Sequence, residues 1–537
     1  MLRTNTMHLT LRITLDHVWL FAFGALIALR VFLTPVPPHD FWWHIAMGRL
    51  IVETGAIPTV DSFSFTQAGE SFYNQGWFAQ IVMYLIYRLG NIPLLVLVQA
   101  IVLVLTYDLL LRLCIRRSGA VRLSAGLLLM TTMPLSFDNW NIRPQSYAFL
   151  LFVAFVYVLT AWRENWAPQP KDDLKNPTQR VSIIWRWRLW MLPLLMILWV
   201  NIHGSFVLGG ALIALTFLGE AGRRFVESRR ETLAWANRPI GTPEEVLQRT
   251  ESPTGSPFRP LLFWGALTAL AMLVNPRGIE VLVYVRSLLN TSAVTQLVTE
   301  WAAPTIREPG GVIFFLFLVV CVVILVYSRQ RPNPVDMLLA GAFLWLALGA
   351  VRNIVWFGMI MTPLLAVQAA VWKSPSSRQQ KFNGLPTLNA LLIGVIALPL
   401  VLTLPWFKPA LNLPPELGNL LSEDTPVAAV EFLQADPQKP DRLFHAMAYG
   451  SYLIWAIPEQ KVFIDPRIEL YPYEQWLDYG RLSAGQNVEA LLGHYQIDGL
   501  LLDNERQANL LEAVRTDQSW ELRFEDESST YLVKRNG

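Results

Sequence analysis

The chain has 537 residues, 53% of them hydrophobic and 16% charged, with 21 Trp, 28 Phe and a formal net charge of +2. That composition is too apolar for a string of soluble domains or a disordered chain, and with no separate basic segment it excludes a nucleic-acid binder driven by bulk charge. Its two cysteines, Cys114 and Cys321, lie inside apolar runs, which excludes a disulfide framework and a cysteine zinc site.

Apolar runs near 15–36, 92–114, 119–136, 145–162, 186–200, 205–220, 260–274, 312–328, 335–350, 354–372 and 386–406 predict an α-helical polytopic membrane protein with about eleven transmembrane helices, since roughly 20 apolar residues cross about 30 Å of hydrocarbon. The first run follows Arg3 and Arg12 and lacks a small-residue cleavage site, which predicts a retained signal anchor. A long loop, 37–91, follows it. The end of that loop, QGWFAQIVMYLIYRL (75–89), is amphipathic and too short to span, so it is expected on the membrane surface. Polar loops at 163–185 and 221–259 separate later spans. The chain divides into a membrane domain, 1–406, and a tail, 407–537. In the tail, helix-like stretches (PVAAVEFLQAD, NVEALLGHYQI, ANLLEAVRTDQ) alternate with β-rich ones (RLFHA, KVFID, DGLLLD, WELRFED, STYLVKR), the pattern of a small α/β domain.

Charge sets the expected orientation, because cytoplasmic loops collect Lys and Arg. With the N-terminus inside and 75–89 kept out of the bilayer, the inside segments carry about 24 basic residues and the outside loops about seven. This places the protein in the plasma (inner) membrane with its tail extracytoplasmic. Counting 75–89 as a span would move the Arg112, Arg116, Arg117 and Arg122 cluster outside, against the rule.

Under this topology the unusual polar motifs gather at the outer ends of the helices: PPHDFWWHIAMGRL (37–50), IPTVDSFSFTQAGESFYNQGW (57–77), WNIRPQSY (140–147), WVNIHGSF (199–206), VNPRGIE (274–280), VTEWAAPTIRE (298–308) and VRNIVWF (351–357). Ionisable groups at such depths are costly unless they pair or face a wet cavity, so their convergence predicts a site. Asp40 stands at the water–lipid boundary, where a carboxylate able to take a proton from a hydroxyl is physically reasonable. The alternative is an N-cap for the helix beginning at Phe41. Asp61 is a possible second acid or a turn residue. His44, four residues after Asp40, lies on the same helical face and can pair with it or share a ligand. Arg143, Arg277 and Arg352 sit at outer helix ends, where guanidinium forks suit phosphate or, alternatively, snorkel to headgroups. His203 is a phosphate or substrate contact or a structural histidine. Glu300 and Asn275 are weaker candidates. No cofactor is expected; His39, Asp40 and His44 match no strong metal motif, which leaves a divalent ion a minor alternative. In the tail, Asp465, Arg467 and Glu469 read first as a loop ion pair.

The stretch DFWWHIAMGRLIVETGAIPTVDSFSFT, with NIRPQSY, WVNIHGSF, TEWAAP and FIDPRIELY, and the layout of a first span ending in Asp, a long outside loop and a soluble tail, resemble the GT-C superfamily of membrane glycosyltransferases. The resemblance is closest to the bacterial branch related to protein O-mannosyltransferases and aminoarabinose transferases. It implies inverting transfer of a sugar from a polyprenyl-phosphate donor to a glycan, lipid or protein acceptor outside the cell membrane, with Asp40 as general base and Asp61 at the second acidic position. Departure of a phosphate from an anomeric carbon calls for fixed positive charge, for which Arg143, Arg277, Arg352 and His203 are the candidates. The competing classes are a lipid or solute transporter, disfavoured by the scarcity of ionisable groups at mid-membrane depth beyond Arg30 and Asp108, and a non-catalytic sugar-binding or assembly protein on the same scaffold.

Overall fold

The computed structural model describes residues 12–166, 188–236, 258–290, 297, 299–372 and 383–535; most of the two polar loops expected at 163–185 and 221–259, with Arg3 of the expected anchor, lies outside them. Each of the eleven apolar runs is helical. Among the described residues, six helices are long and apolar enough to cross a membrane: Leu15–Phe32, Trp77–Ser118, Pro144–Glu164, Gly204–Arg229, Pro309–Tyr327 and Val351–Ala370. Five shorter apolar helices accompany them, at Val121–Thr132, Arg188–Val200, Phe258–Ala271, Pro334–Gly349 and Pro386–Leu402. These helices mark the chain as an integral membrane protein. Their outward faces carry Leu316, Val319, Val322, Val326, Leu391, Val395 and Leu398 exposed, the reverse of a soluble helix and the expectation for a surface solvated by lipid tails.

Three helices at the start of the chain position the site. Helix α1 (Leu15–Phe32) ends where the buried Lys408 Nζ donates to the Phe32 carbonyl at 2.8 Å, a cation on a helix C-terminus. Helix α2 (Phe41–Thr54) is buried along most of its length and ends on Gly55, whose φ of 66° is the left-handed value that favours glycine. Helix α3 (Trp77–Ser118) breaks at Gly90 and Asn91, where Asn91 has φ 52°, one residue before Ile92 and two before Pro93. The break separates the amphipathic stretch from the apolar run at the boundary expected from composition.

At the far ends of the long helices several arginines are paired within the bundle. Arg163 bonds Glu220 at 3.2 Å and Asp336 at 2.8 Å, and Arg117 also contacts Asp336, with Arg163, Glu220 and Asp336 each over nine-tenths buried. A fully paired network of this kind fixes the relative register of four helices, because losing one member strands a buried charge.

The C-terminal residues form a four-stranded mixed sheet in the order β1-β2-β4-β3, with β1 (Leu443–His445) parallel to β2 (Gly499–Asp503), and β4 (Ser529–Lys534) antiparallel to both β2 and β3 (Trp520–Glu525). Four of the five expected strand segments are strands. The fifth, KVFID, forms only bridges, Val462 pairing with both Ser64 and Leu443. Helices Met447–Ala456 and Tyr473–Ser483 are additions to the expected pattern. The sheet region does not stand apart from the first loop: Trp43, Met47, Ile51 and Phe72 share one hydrophobic cluster with Val430, Tyr449, Leu453 and Val462. Trp42 meanwhile packs against Tyr452 and Trp455 at ring separations of 5.1 and 5.9 Å.

Candidate functional site

Asp40 occupies the N-cap position of α2, yet its side chain makes no capping hydrogen bond. Its carboxylate turns instead to Arg143, whose Nη1 lies 3.3 Å from Asp40 Oδ2 and 3.1 Å from Glu300 Oε1. Arg143 is placed by the turn before Pro144, the first residue of the helix Pro144–Trp166, and its carbonyl accepts hydrogen bonds from the backbone and hydroxyl of Ser146. Glu300 lies in the single turn Thr299–Trp301, and that turn is tied to the next loop by the Val351 N–H donating to Ala302 O at 2.9 Å. The same tie brings Arg352 over the Trp301 ring, 4.7 Å from its centroid.

The electrostatics are unequal across the cluster. Asp40 and Glu300 are each about one-third exposed, while the Arg143 side chain is only 11% exposed. One nitrogen of the guanidinium serves both carboxylates; Nε and Nη2 are buried without a hydrogen-bond partner. An unpaired buried donor is unfavourable by about 1–3 kcal/mol, more for a charged group, so such atoms call for an acceptor. A planar guanidinium with two free donors matches a phosphate oxygen pair.

Both histidines are neutral. Burial, reinforced by the Arg143 charge, pushes His44 down to about 3, and its Nδ1 sits 3.1 Å from the Gln80 amide nitrogen in a closed environment. Burial holds His203 well below its ordinary value, and the charges of Arg352 and Arg143 push it the same way. The Ser205 backbone N–H donates to His203 Nδ1 at 3.1 Å, which puts the ring proton on Nε2 and leaves that nitrogen as a donor. The expectation that His203 adds positive charge is therefore corrected: it offers a neutral hydrogen bond.

Asp61 does not join this cluster. Its side chain is fully buried, with Arg467 Nη1 at 2.7 Å, the Ser64 hydroxyl donating at 2.6 Å and the Ser64 backbone N–H at 3.0 Å. Arg467 in turn binds Asp465 through Nε at 2.9 Å and Nη2 at 2.6 Å, and Tyr471 donates to the same carboxylate. Asp61 and Asp465 share the one Arg467 guanidinium, with Ser64 and Tyr471 as further donors, which makes Asp61 part of the clasp between the first loop and the sheet region rather than a second acid beside Asp40. Arg277 lies one step from the cluster. It pairs with Glu280 at 3.1 Å and stands over the Tyr73 ring, and Tyr73 stacks on Tyr284 at 4.4 Å. Glu300 is the acid that sequence reasoning undervalued; its signal was an acid beside Trp in a short loop, with nothing in its spacing to tie it to Arg143. Among the described residues no group of three or more His, Cys, Asp or Glu side chains is arranged to hold a metal ion.

No protein-family model matches the chain, and no curated protein matches its sequence. Solved structures do match its fold. The archaeal oligosaccharyltransferase AglB from Archaeoglobus fulgidus, in complex with an inhibitory peptide and a dolichol-phosphate, is 13% identical with a TM-score of 0.54, over 94% of this chain and 72% of its own. The apo form of the Archaeoglobus fulgidus oligosaccharyltransferase is 12% identical with a TM-score of 0.53, over 96% of this chain and 74% of its own. The mycobacterial arabinofuranosyltransferase AftD is 12% identical with a TM-score of 0.51, over 96% of this chain and 42% of its own. Over nearly its whole length, the chain shares the fold of these oligosaccharyltransferase and arabinofuranosyltransferase structures.

Proposed function

We propose that the protein is a membrane glycosyltransferase that moves a sugar from a polyprenyl-phosphate donor to an extracytoplasmic acceptor with inversion at the anomeric carbon. The observation that carries this reading is the Asp40–Arg143–Glu300 cluster, in which two half-open carboxylates flank a guanidinium with two buried, unpartnered donors. In this reading Asp40 takes the proton of the acceptor hydroxyl as it attacks, and Arg143, with Arg352 nearby, stabilises the charge that builds on the departing phosphate. His203 Nε2 donates a neutral hydrogen bond on the same side. Glu300 orients Arg143 by holding Nη1. A cavity whose lining includes Val31, Val96, Phe137, Trp140 and Ile142, together with the polar Arg30, Gln99 and Asn141, reaches the residue before Arg143 in sequence, and its apolar side offers a wall to the donor tail.

The orientation belongs to the same proposal: the N-terminus inside, eleven crossings, and residues 407–537 outside as a second domain clasped to the first loop. Oligosaccharyl and arabinofuranosyl transfer by proteins of this fold supports the sugar chemistry. The test is transfer by the purified full chain with a panel of polyprenyl-phosphate sugars, scored for consumption of the lipid-linked sugar. Asp40→Asn is expected to abolish consumption while the protein still binds the carrier. Consumption at the wild-type rate by Asp40→Asn would remove the base assignment.

A further inference from the structure

Helices α2 and α3 touch backbone to backbone at one point. A Cβ at Gly48 would collide with the Gln80 carbonyl oxygen and lie 2.9 Å from Tyr84 Cβ, so only a glycine lets α3 come this near. The approach brings the Gln80 side chain to His44, one turn before Gly48 on α2. Gln80 is fully buried, and Asn74 and His44 are each more than nine-tenths buried. Asn74 Nδ2 donates to Gln80 Oε1 at 2.7 Å, which turns the other end of that amide, its nitrogen, toward His44 Nδ1 at 3.1 Å. A ring nitrogen that accepts this bond carries no proton, so the neutral imidazole holds its proton on Nε2. Among the described residues, nothing pairs with Nε2.

His44 also shares a helix face with Asp40. The Asp40 backbone is already helical, with φ −80° and ψ −25°, and the His44 N–H donates to the Asp40 carbonyl at 3.4 Å. Side chains four apart stand one above the other and lean toward the helix N-terminus, so the His44 ring covers the turn that carries Asp40. Trp43 packs on the ring at a centroid separation of 3.7 Å. Asp40 in turn lies 3.3 Å from Arg143. The ring is therefore tied at one nitrogen to α3, and its other nitrogen is left as a donor beside the acid of the cluster.

We propose that Gln80 is a positioning residue of the site: by donating to His44 Nδ1 it fixes the tautomer that keeps the proton on Nε2, so that α2 presents an uncharged donor next to the Asp40 carboxylate. A donor that stays neutral beside Arg143 adds direction without adding charge, which suits a hydroxyl oxygen of the sugar or the acceptor rather than the phosphate. This deepens the glycosyltransferase reading and rests on it for the identity of that oxygen. The setting of the tautomer is independent of any substrate.

The test uses the full chain in lipid nanodiscs with isotope-labelled histidine, and the variants Gln80→Leu and Gln80→Glu. Nitrogen–proton couplings across the ring report which nitrogen is protonated, and the His44 resonance is the one lost in His44→Gln. The wild type is expected to show the Nε2–H tautomer. Gln80→Leu removes the donor and should release the ring into a mixture of tautomers; Gln80→Glu, of the same size but offering acceptor oxygens, should draw the proton to Nδ1. On whichever polyprenyl-phosphate sugar of the panel the wild type consumes, both variants are expected to lower kcat about ten-fold, with inhibition by undecaprenyl phosphate within about two-fold of the wild type. An Nδ1–H tautomer in the wild type, an Nε2–H tautomer unchanged in the variants, or a wild-type kcat in Gln80→Glu would each overturn the positioning role. Inhibition weakened about ten-fold would overturn the choice of a hydroxyl over the phosphate. Should one variant fail to fold, the other and the wild-type tautomer decide. Should the wild type consume none of the sugars, the glycosyltransferase reading falls, and the ring couplings still decide whether Gln80 sets the His44 tautomer.

Discussion

Two aspartate–arginine pairs stand a short way apart in this protein, and they are built in opposite ways. In the clasp, Asp61, Asp465 and Arg467 are all fully buried, both carboxylates lie against the one guanidinium, and Tyr471 and Ser64 donate to them. In the cluster, Asp40 keeps a third of its side chain exposed, Arg143 shares one nitrogen between two acids, and two of its donors lack partners. The same residue types thus serve two purposes. Where polar groups are sealed and matched, removing one strands a buried charge and the fold suffers. Where they are partly open and left unmatched, the deficit is held in reserve for something that binds.

The sharpest way to break this contrast is to substitute Asp40. We expect Asp40→Asn to lower sugar transfer by about 10³-fold while the unfolding temperature in detergent stays within about 2 °C. A large fall in stability would place Asp40 with the clasp. The reverse is expected of Asp61→Asn, which should reduce stability by about 1–3 kcal/mol, because the Ser64 N–H and hydroxyl and Arg467 Nη1 then lose a buried charged acceptor; thermal unfolding with a protease-sensitivity readout at the first loop checks it. An Asp61→Asn protein as stable as the wild type would show that the clasp is not what holds the loop to the sheet region.

A smaller effect sharpens the cluster side. Arg143→Gln should weaken inhibition by undecaprenyl phosphate about ten-fold, since it removes a charged donor pair and leaves the two carboxylates facing each other. An unaltered inhibition constant would move the phosphate contact elsewhere. Smallest is the pH response of His44. Its folded value of about 3 lies below the ordinary 6.5, so below pH 6.5 the unfolded chain binds a proton that the folded chain refuses. Stability is therefore full above about pH 6.5 and declines as pH falls toward 3. His44→Gln should flatten the decline between pH 6.5 and 5 by about 1–2 kcal/mol, as read from unfolding midpoints across that range.

Much of this architecture was legible in the residues because bilayers impose a simple code. A run such as 312–328 has no hydroxyl, amide or charged side chain before its last two residues, Tyr327 and Ser328, and is long enough to span, so its helix follows from composition alone. The break before Pro93 and the strands at DGLLLD and STYLVKR followed from equally local signals. The site was half legible. Asp40 and Arg143 each lie at a helix end and are joined in the structure, and Arg352 is near them. Glu300 was undervalued because one acid in a short loop carries no period and no partner in its own segment. Asp61 misled for the converse reason: a turn aspartate looks the same whether it faces a cavity or a buried arginine 406 positions away. The helix Met447–Ala456 was missed because it is apolar all round and shows no stripe, whereas Tyr473–Ser483 carries a short amphipathic stripe, with Trp476 and Leu482 buried, that was passed over.

The residue order by itself determined where apolar helices form, which loops gather the ionisable groups, and that the tail carries a small sheet, because these depend on local burial and on the length of chain needed to cross hydrocarbon. Only the tertiary structure decided which acid meets which arginine. That choice turns on how three loops and the sheet region close over the first helices, and on which charges this closure seals from water and which it leaves with donors to spare. Burial and hydrogen-bond matching are properties of the packed whole, so Asp40 and Asp61, alike in sequence as loop aspartates, became one half-open carboxylate and one sealed clasp.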